Sequence, residues 1–435
     1  MSTRRSRGRT RNALADITPS MLPDDNMEVV TLNKYYEYRE STISRSNSSQ
    51  RKRASHLIAD MDDETPNVSS ATEDPFMRPD AVSFFQTPGI FKYRRRTSTE
   101  PQIDYFEHFQ IPNECILKIF ENFNKRDVIT AMKVCRKFYN LGENKDLWKT
   151  VDLANKTIRL VDLFKIVGRG CQVLRLCGTK INEEEQDEAM LHQGYGMLQK
   201  NLLTHIDFSR CTISTLALET ILCGTNLLQG LSLENVNLST RILEAIGQNT
   251  DLLYLDLSMA RGIKTSDIKC FLPQLTKIEE LNLSWCNLDA EALNRVMQYI
   301  SSSVQRICLA GSRNKASLFD SHVEALCRRC VTLKEVDLSD STELTRASLQ
   351  FLIDMPQLEV LSLSRCFGIH PLAYLSCANI ARLNIFGCVT EEGEQTLRIR
   401  LQNTAVNMDP HSSVARPTPP PSVTSIWRMK VKDLY

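Results

Sequence analysis

One short phrase recurs between Val151 and Cys388 and limits what this chain can fold into. It reads LSLEN from Leu231, LDLSM from Leu255, LNLSW from Leu281, VDLSD from Val336 and LSLSR from Leu361. Weaker copies start at Val151, Leu174, Ile206, Ile307 and Leu383. From Ile206 onward the copies are spaced by 25, 24, 26, 26, 29, 25 and 22 residues. Apolar residues alternate with small polar ones in each, the pattern of a strand with one face buried. A unit this short cannot bury its own apolar face, so neighbours must stack and share one core.

A period of about 20–29 residues with an L-x-L strand in each copy is the leucine-rich-repeat signature. The expected fold class is α/β: a leucine-rich-repeat horseshoe, or solenoid, with a parallel concave sheet over residues 151–401. Within LNLSWC, alternation sends Leu281 and Leu283 into the core and Asn282 and Ser284 onto the concave face. Trp285 falls at the sheet edge and Cys286 turns back inward. The inward column of small residues (Cys211, Val236, Ala260, Cys286, Ser312, Ser341, Cys366, Cys388) reads as a packing spine. The concave columns are polar and small enough for another chain to lie on them. The edge column runs Arg210, Asn235, Met259, Trp285, Gly311, Asp340, Arg365, Gly387, and its Trp and Arg are types that dominate protein interfaces. Trp285 exposed there, with Asp340 and Arg365 further along, reads as a recognition edge. The alternative is that a loop of the same chain covers Trp285.

With 435 residues, 42% of them hydrophobic, the chain can build a sizeable core. A net charge of +1 gives no case for nucleic acid or a membrane as partner. No signal peptide and no run of about 18 apolar residues is present. The 14 cysteines lie among periodic helix and strand positions, which fits reduced, buried thiols. Cys327 and Cys330 form a CxxC without a second pair at ligand spacing, so no metal is expected. No nucleophile–base set and no glycine-rich phosphate loop occurs, and neither an enzyme nor a cofactor is expected.

Residues 1–100 lack periodicity and are rich in Ser, Thr, Arg, Asp and Pro, the composition of a disordered regulatory tail. Basic clusters at Arg4–Arg11, Arg51–Arg53 and Arg94–Arg96 are candidate nuclear import signals or plain solvated charge. Thr18, Thr65, Thr87 and Thr418 each precede proline and are candidate phosphoacceptors. Residues 402–435 carry a Pro-rich stretch from Arg416 and then Ile426-Trp427, an apolar hook expected to dock the C-terminal tail on the concave face.

Between Phe106 and Leu153 short amphipathic helices are expected. Ile116, Leu117, Ile119, Phe120 and Phe123 recur at helical spacing, and Asp127 is placed to N-cap a second helix. Residues 105–150 resemble the F-box: Pro112, Glu114, Ile116, Leu117, Ile119, Phe120, Asp127, Val134, Cys135, Leu141, Leu147 and Trp148 meet its pattern. Ile111 stands for the family's leucine, and Phe138-Tyr139 stand near its tryptophan. Such a module exposes Pro112, Ile116, Leu117, Ile119 and Phe120 to a partner, while part of this apolar set packs internally. The alternative is a three-helix cap for the repeats.

An F-box, about ten repeats and a returning tail together resemble the F-box/leucine-rich-repeat receptors of the S-phase-kinase-associated type. The resemblance rests on LNLSWC at 281–286, DLSDS at 337–341, LSLSRC at 361–366, GSRNK at 311–315, and Ala415-Arg416-Pro417-Thr418 with Ile426-Trp427. It implies a non-catalytic substrate receptor of an SCF (cullin–RING) ubiquitin ligase acting at the G1/S transition. Its partners would be the small S-phase-kinase-associated adaptor and, through it, the cullin and RING subunits. A small cyclin-dependent-kinase regulatory subunit and a phosphorylated Kip-family kinase inhibitor, destined for the proteasome, would follow. A cyclin–kinase complex is a further candidate, and the location would be the nucleus and also the cytoplasm. The accessory-subunit contact would carry over to Trp285, Asp340, Phe367 and His411, and the substrate contact to Arg365. Phe367 stands where the family has tyrosine, and His411 where it has phenylalanine. Arg11-Asn12-Ala13-Leu14-Ala15-Asp16-Ile17 resembles the destruction box of mitotic cyclins, which would make Arg11 and Leu14 a degron. Two other readings stay open: an F-box receptor for unrelated substrates, and a non-ligase leucine-rich-repeat scaffold.

Overall fold

The computed structural model describes residues 110–184, 201–311, 318–418 and 425–431. All belong to one unit of the chain, Pro79–Tyr435. The N-terminal tail, with Arg11, Leu14, the basic clusters and Thr18, Thr65 and Thr87, lies outside the described residues, as do Ser312 and most of GSRNK.

Three short helices come first: α1 (Asn113–Phe120), α2 (Lys125–Met132) and α3 (Arg136–Gly142). Pro112 precedes α1, where its missing N–H costs nothing. The cap of α2 is not Asp127 as expected but Asn124, whose side-chain oxygen accepts the Asp127 N–H at 3.0 Å. Asp127 sits in the first turn and its carboxylate takes the Asn124 amide at 2.6 Å, so both ends of the motif are polar and satisfied. A 3₁₀ turn, Lys145–Trp148, leads into the repeats. Trp148 is buried, donates its ring N–H to the Gly142 carbonyl at 2.7 Å and lies under the Arg169 guanidinium, 4.8 Å away. Arg169 in turn pairs with Glu143 of the helical region. This junction ties the three helices to the first repeat.

The repeats follow as β1 (Thr150–Asp152), β2 (Thr157–Arg159), α4 (Leu160–Gly168), β3 (Val173–Arg175) and β4 (Lys180–Asn182). Next come β5 (His205–Asp207), α5 (Thr215–Cys223), β6 (Gly230–Ser232), α6 (Thr240–Gly247), β7 (Tyr254–Asp256) and α7 (Ile268–Phe271). They continue with β8 (Glu280–Asn282), α8 (Ala290–Tyr299), β9 (Arg306–Cys308), α9 (Asp320–Arg329), β10 (Glu335–Asp337), α10 (Arg346–Ile353) and β11 (Val360–Ser362). The array closes with β12 (Arg382–Asn384), α11 (Glu391–Arg400) and β13 (Ala405–Val406). Among the described residues, eleven strands form one parallel sheet in the order β1-β3-β5-β6-β7-β8-β9-β10-β11-β12-β13. Val151, Leu174, Ile206, Leu231, Leu255, Leu281, Ile307, Val336, Leu361 and Leu383 stand opposite one another in unbroken register. These are the ten phrase starts, so the repeat and the sheet column coincide. The array runs one strand further than expected: Val406 pairs with Leu383. Its two-residue strand lacks the leucine phrase and shows only in the pairing.

The phrase has a local cause. In Asp152, Asp207, Asp256, Asn282 and Asp337 a side-chain oxygen accepts the backbone N–H two residues on, at 2.9–3.0 Å. That bond ends the strand and bends the chain toward the helix, which Ser214, Asp289 and Thr345 N-cap in three of these repeats. Leu281 and Leu283, with their counterparts and the helix faces, form one continuous core.

The polar face of the sheet is not vacant. Ser232, Asp256, Ser258 and Asn282 are fully or almost fully buried, although the strand alternation turns them away from the core. Residues of the C-terminal tail cover them: Val414 and Ala415 pack on Cys308 and Ala310, and Ile426 and Val431 pack on Val173. The short hairpin of β14 (Ser425–Ile426) and β15 (Met429–Lys430) ends the described chain. The chain that lies on this polar floor is the protein's own.

Candidate functional site

The edge column has a conformation that alternation does not reveal. Arg210, Asn235, Met259, Trp285, Gly311, Asp340, Arg365 and Gly387 all have positive φ, between 54° and 75°. Each follows the strand-ending turn, and one left-handed residue is what lets the chain reverse there. Glycine and asparagine suit the position, whereas Trp, Met and Arg occupy it against their preference.

Trp285 is half-buried rather than exposed. Its ring lies flat on Gly311 of the next repeat, where an added Cβ would collide with the indole. Gly311 thus serves both its own φ of 72° and the seat of the tryptophan. On the other side a shallow depression is lined by Met259, Arg261, Ile263 and Asn287 together with the indole. A Gly311→Ala chain should lift the ring from its seat, with the Trp285 fluorescence shifting to longer wavelength as the ring gains solvent. An unmoved spectrum would refute the seat.

Two and three repeats on, Asp340 and Arg365 hold each other. The carboxylate receives two guanidinium bonds, the Nη2–Oδ2 one at 2.6 Å, and this partner pushes the Arg365 pKa further up. Arg365 is about half exposed, so part of its donor edge still faces water. Phe367, two residues further, is 62% exposed. The structure therefore brings Trp285, Asp340, Arg365 and Phe367 to the ends of β8, β10 and β11 on one side of the sheet. His411 is exposed and lies in the tail, two residues past Asp409, which Arg382 and Asn384 pin to β12.

At the other end of the array, the expected adaptor set divides. Pro112 is exposed, Ile119 is 54% exposed and Leu117 is half-buried. Ile116 and Phe120 are each 2% exposed, and the Phe120 ring packs between Phe123 and Phe138. The expectation that Ile116 and Phe120 face a partner is thus corrected: the i, i+4 pair points into the three-helix core, and Ile119 points out. Val134 and Tyr139 are further exposed apolar residues of the same helical region.

Burial governs the ionisable groups. The thiols of Cys171, Cys211, Cys366 and Cys377 are pushed up to about 12, and those of Cys327 and Cys330 to about 12 and about 11, so all stay protonated at neutral pH. Among the described residues no group of three or more His, Cys, Asp or Glu side chains could hold a metal ion, and no helix is long and apolar enough to cross a membrane. His205, packed beside Trp427, is pushed down by burial to about 4. The unfolded chain then takes up this proton first, so stability falls as pH drops from about 6.5 toward 4. Asp256, raised to about 6 by burial and then by Glu234, works in the opposite sense, losing stability as pH rises through the same region. A His205→Gln chain should therefore lose about 1–3 kcal/mol less than the parent between pH 7 and pH 5. Urea midpoints at both pH values check this, and equal losses would refute it.

The chain matches the family described as SKP2 LRR domain over residues 149–434, and the family described as F-box-like over residues 109–154. Among solved structures it is similar to an internalin, InlF, of Listeria monocytogenes, with 12% identity and a TM-score of 0.37 over 60% of this chain and 84% of that one. It is also similar to a chain of the yeast Rad7 and Elc1 complex, with 15% identity and a TM-score of 0.36 over 66% of this chain and 92% of that one. With two family matches laid end to end over its helices and its sheet, the chain belongs to the SKP2-type leucine-rich-repeat family and carries an F-box ahead of its repeats.

Proposed function

We propose that this chain is the substrate-recognition subunit of an SCF ubiquitin ligase, and that its target is a phosphorylated Kip-family kinase inhibitor delivered with a small cyclin-dependent-kinase regulatory subunit. The observation that carries the reading is an F-box joined directly to a repeat domain of the SKP2 type. The helices would hold a Skp1-like adaptor through Pro112, Leu117 and Ile119, and the cullin and RING subunits would attach through that adaptor. The rim would hold the accessory subunit at Trp285, Asp340, Phe367 and His411, leaving the outward donors of Arg365 for the inhibitor. The chain then contributes proximity: it keeps the target near charged ubiquitin while associated enzymes perform the transfer.

In the same reading the protein works in the nucleus and the cytoplasm, and Arg11 and Leu14 tie its own lifetime to the cell cycle. The reading is tested by co-purification. Trp285→Ala and Arg365→Ala chains should each retain the adaptor and lose more than tenfold in capture of the accessory subunit or the phosphorylated inhibitor, respectively. Unchanged capture by both would leave an F-box receptor for other substrates.

A further inference from the structure

The floor beneath the tail is strongly acidic. Asp207, Glu234 and Asp256 sit on neighbouring strands of the same face, each almost wholly buried. Ser209 and Ser232 link Asp207 to Asp256: the Ser209 N–H donates to Asp207, the Ser209 hydroxyl meets that of Ser232 at 2.9 Å, and Ser232 donates to Asp256 at 2.9 Å. Arg175 stands 4.0 Å from Asp207, and the tail's Arg416 offsets Asp256.

The tail lies on this floor as a bound peptide would. The Ala415 N–H donates to Glu280 at 2.8 Å, and the Val414 carbonyl accepts from Asn282 at 3.1 Å. Trp427 stacks on Tyr254, 6.2 Å between ring centroids, and donates its ring N–H to the Ala415 carbonyl at 3.0 Å. The fit is incomplete. Asp207 Oδ2 is buried on the floor with no hydrogen bond, only the Arg175 guanidinium 4.0 Å away. The tail itself holds Ala415, Trp427 and Arg428 in left-handed conformations, none of them glycine. A ligand that supplied more donors in a relaxed backbone would satisfy this floor better than the tail does.

We propose that the floor is a groove for an arginine-bearing segment of a partner protein, held by default by the chain's own tail, which such a segment displaces. Charge complementarity selects the ligand: a row of three carboxylates favours guanidinium donors. Glu280 and Asn282 hold the main chain of the Val414-Ala415 turn, and Tyr254 offers a face for an aromatic residue. The groove meets the rim at the tail's His411, but the proposal rests on the floor residues alone and stands whether or not the ligase reading does.

The test uses the full chain with its adaptor and a fluorescent peptide of residues 410–431. An Arg416→Ala/Trp427→Ala chain, its tail loosened, should bind the peptide at least tenfold more tightly than the parent does. Adding Glu234→Gln and Asp256→Asn should remove that gain, and a peptide carrying Arg416→Glu should not compete. No gain on loosening the tail, or equal binding of the charge-reversed peptide, overturns the proposal. If the loosened chain loses its cooperative melt, the unaltered protein decides by hydrogen exchange. Ala415 and Trp427 amides exchanging much faster than that of Leu283 mark a displaceable tail, whereas equal protection makes the tail a fixed part of the array and ends the proposal.

Discussion

An Ile119→Asp chain should melt as the parent does and fail to capture the adaptor. Ile119 is 54% exposed, so the substitution should change stability by no more than about 0.5 kcal/mol. At an apolar interface the new carboxylate would be buried without a partner, a cost of about 3–5 kcal/mol, or more than a hundredfold in affinity. The next residue should behave in reverse. Phe120 is in the core, in a stacked contact with Phe123 at 5.6 Å and an edge contact with Phe138 at 5.4 Å. Phe120→Ala should cost about 3–5 kcal/mol of stability, so any loss of binding it causes would report unfolding. Thermal melts beside an adaptor pulldown separate the two. Full adaptor capture by the Ile119→Asp chain would mean that the adaptor does not bind through the Ile119 face of the first helix.

Trp148→Ala should be among the most damaging single changes outside the repeat core. The indole is 1% exposed, and its removal leaves a large cavity, the Gly142 carbonyl without its ring donor and Arg169 without its aromatic face. The cavity alone costs about 3–5 kcal/mol, and the lost hydrogen bond about 1 kcal/mol more. The expected signature in urea is an early transition of the helical region ahead of the repeats, because the junction holds the two together. A single transition with an unchanged midpoint would show that the junction bears no energy.

The fold was legible because the sheet repeats the sequence: ten phrase starts became ten paired positions in one column. Val406 escaped because a two-residue strand has no period of its own. The site was legible in part. Alternation placed Trp285, Asp340 and Arg365 on one edge, but it knows nothing of contacts between repeats. It could not show that Arg365 grips Asp340, or that Trp285 lies on Gly311. In the first helix, spacing marked Ile116, Ile119 and Phe120 as equally apolar, and only packing decided that Ile119 alone of the three faces out. The burial of Asp256 and Asn282 depends on Arg416 and Val414, more than a hundred residues away, and no local pattern carries that information.

The left-handed residues that end the strands have a consequence for how such a protein can evolve. From Arg210 to Arg365 their N–H groups donate to the neighbouring repeat's carbonyl, as Trp285 does to Ala310 and Asp340 to Ser364. The backbone requirement is thus met by the main chain, and most side chains cost about the same, 1–2 kcal/mol, to hold in this conformation. Exchanging one for another leaves the fold nearly indifferent while changing what the rim presents at that repeat. Specificity can then drift one repeat at a time through single substitutions, and Gly311 is the position held fixed for as long as the Trp285 ring lies on it.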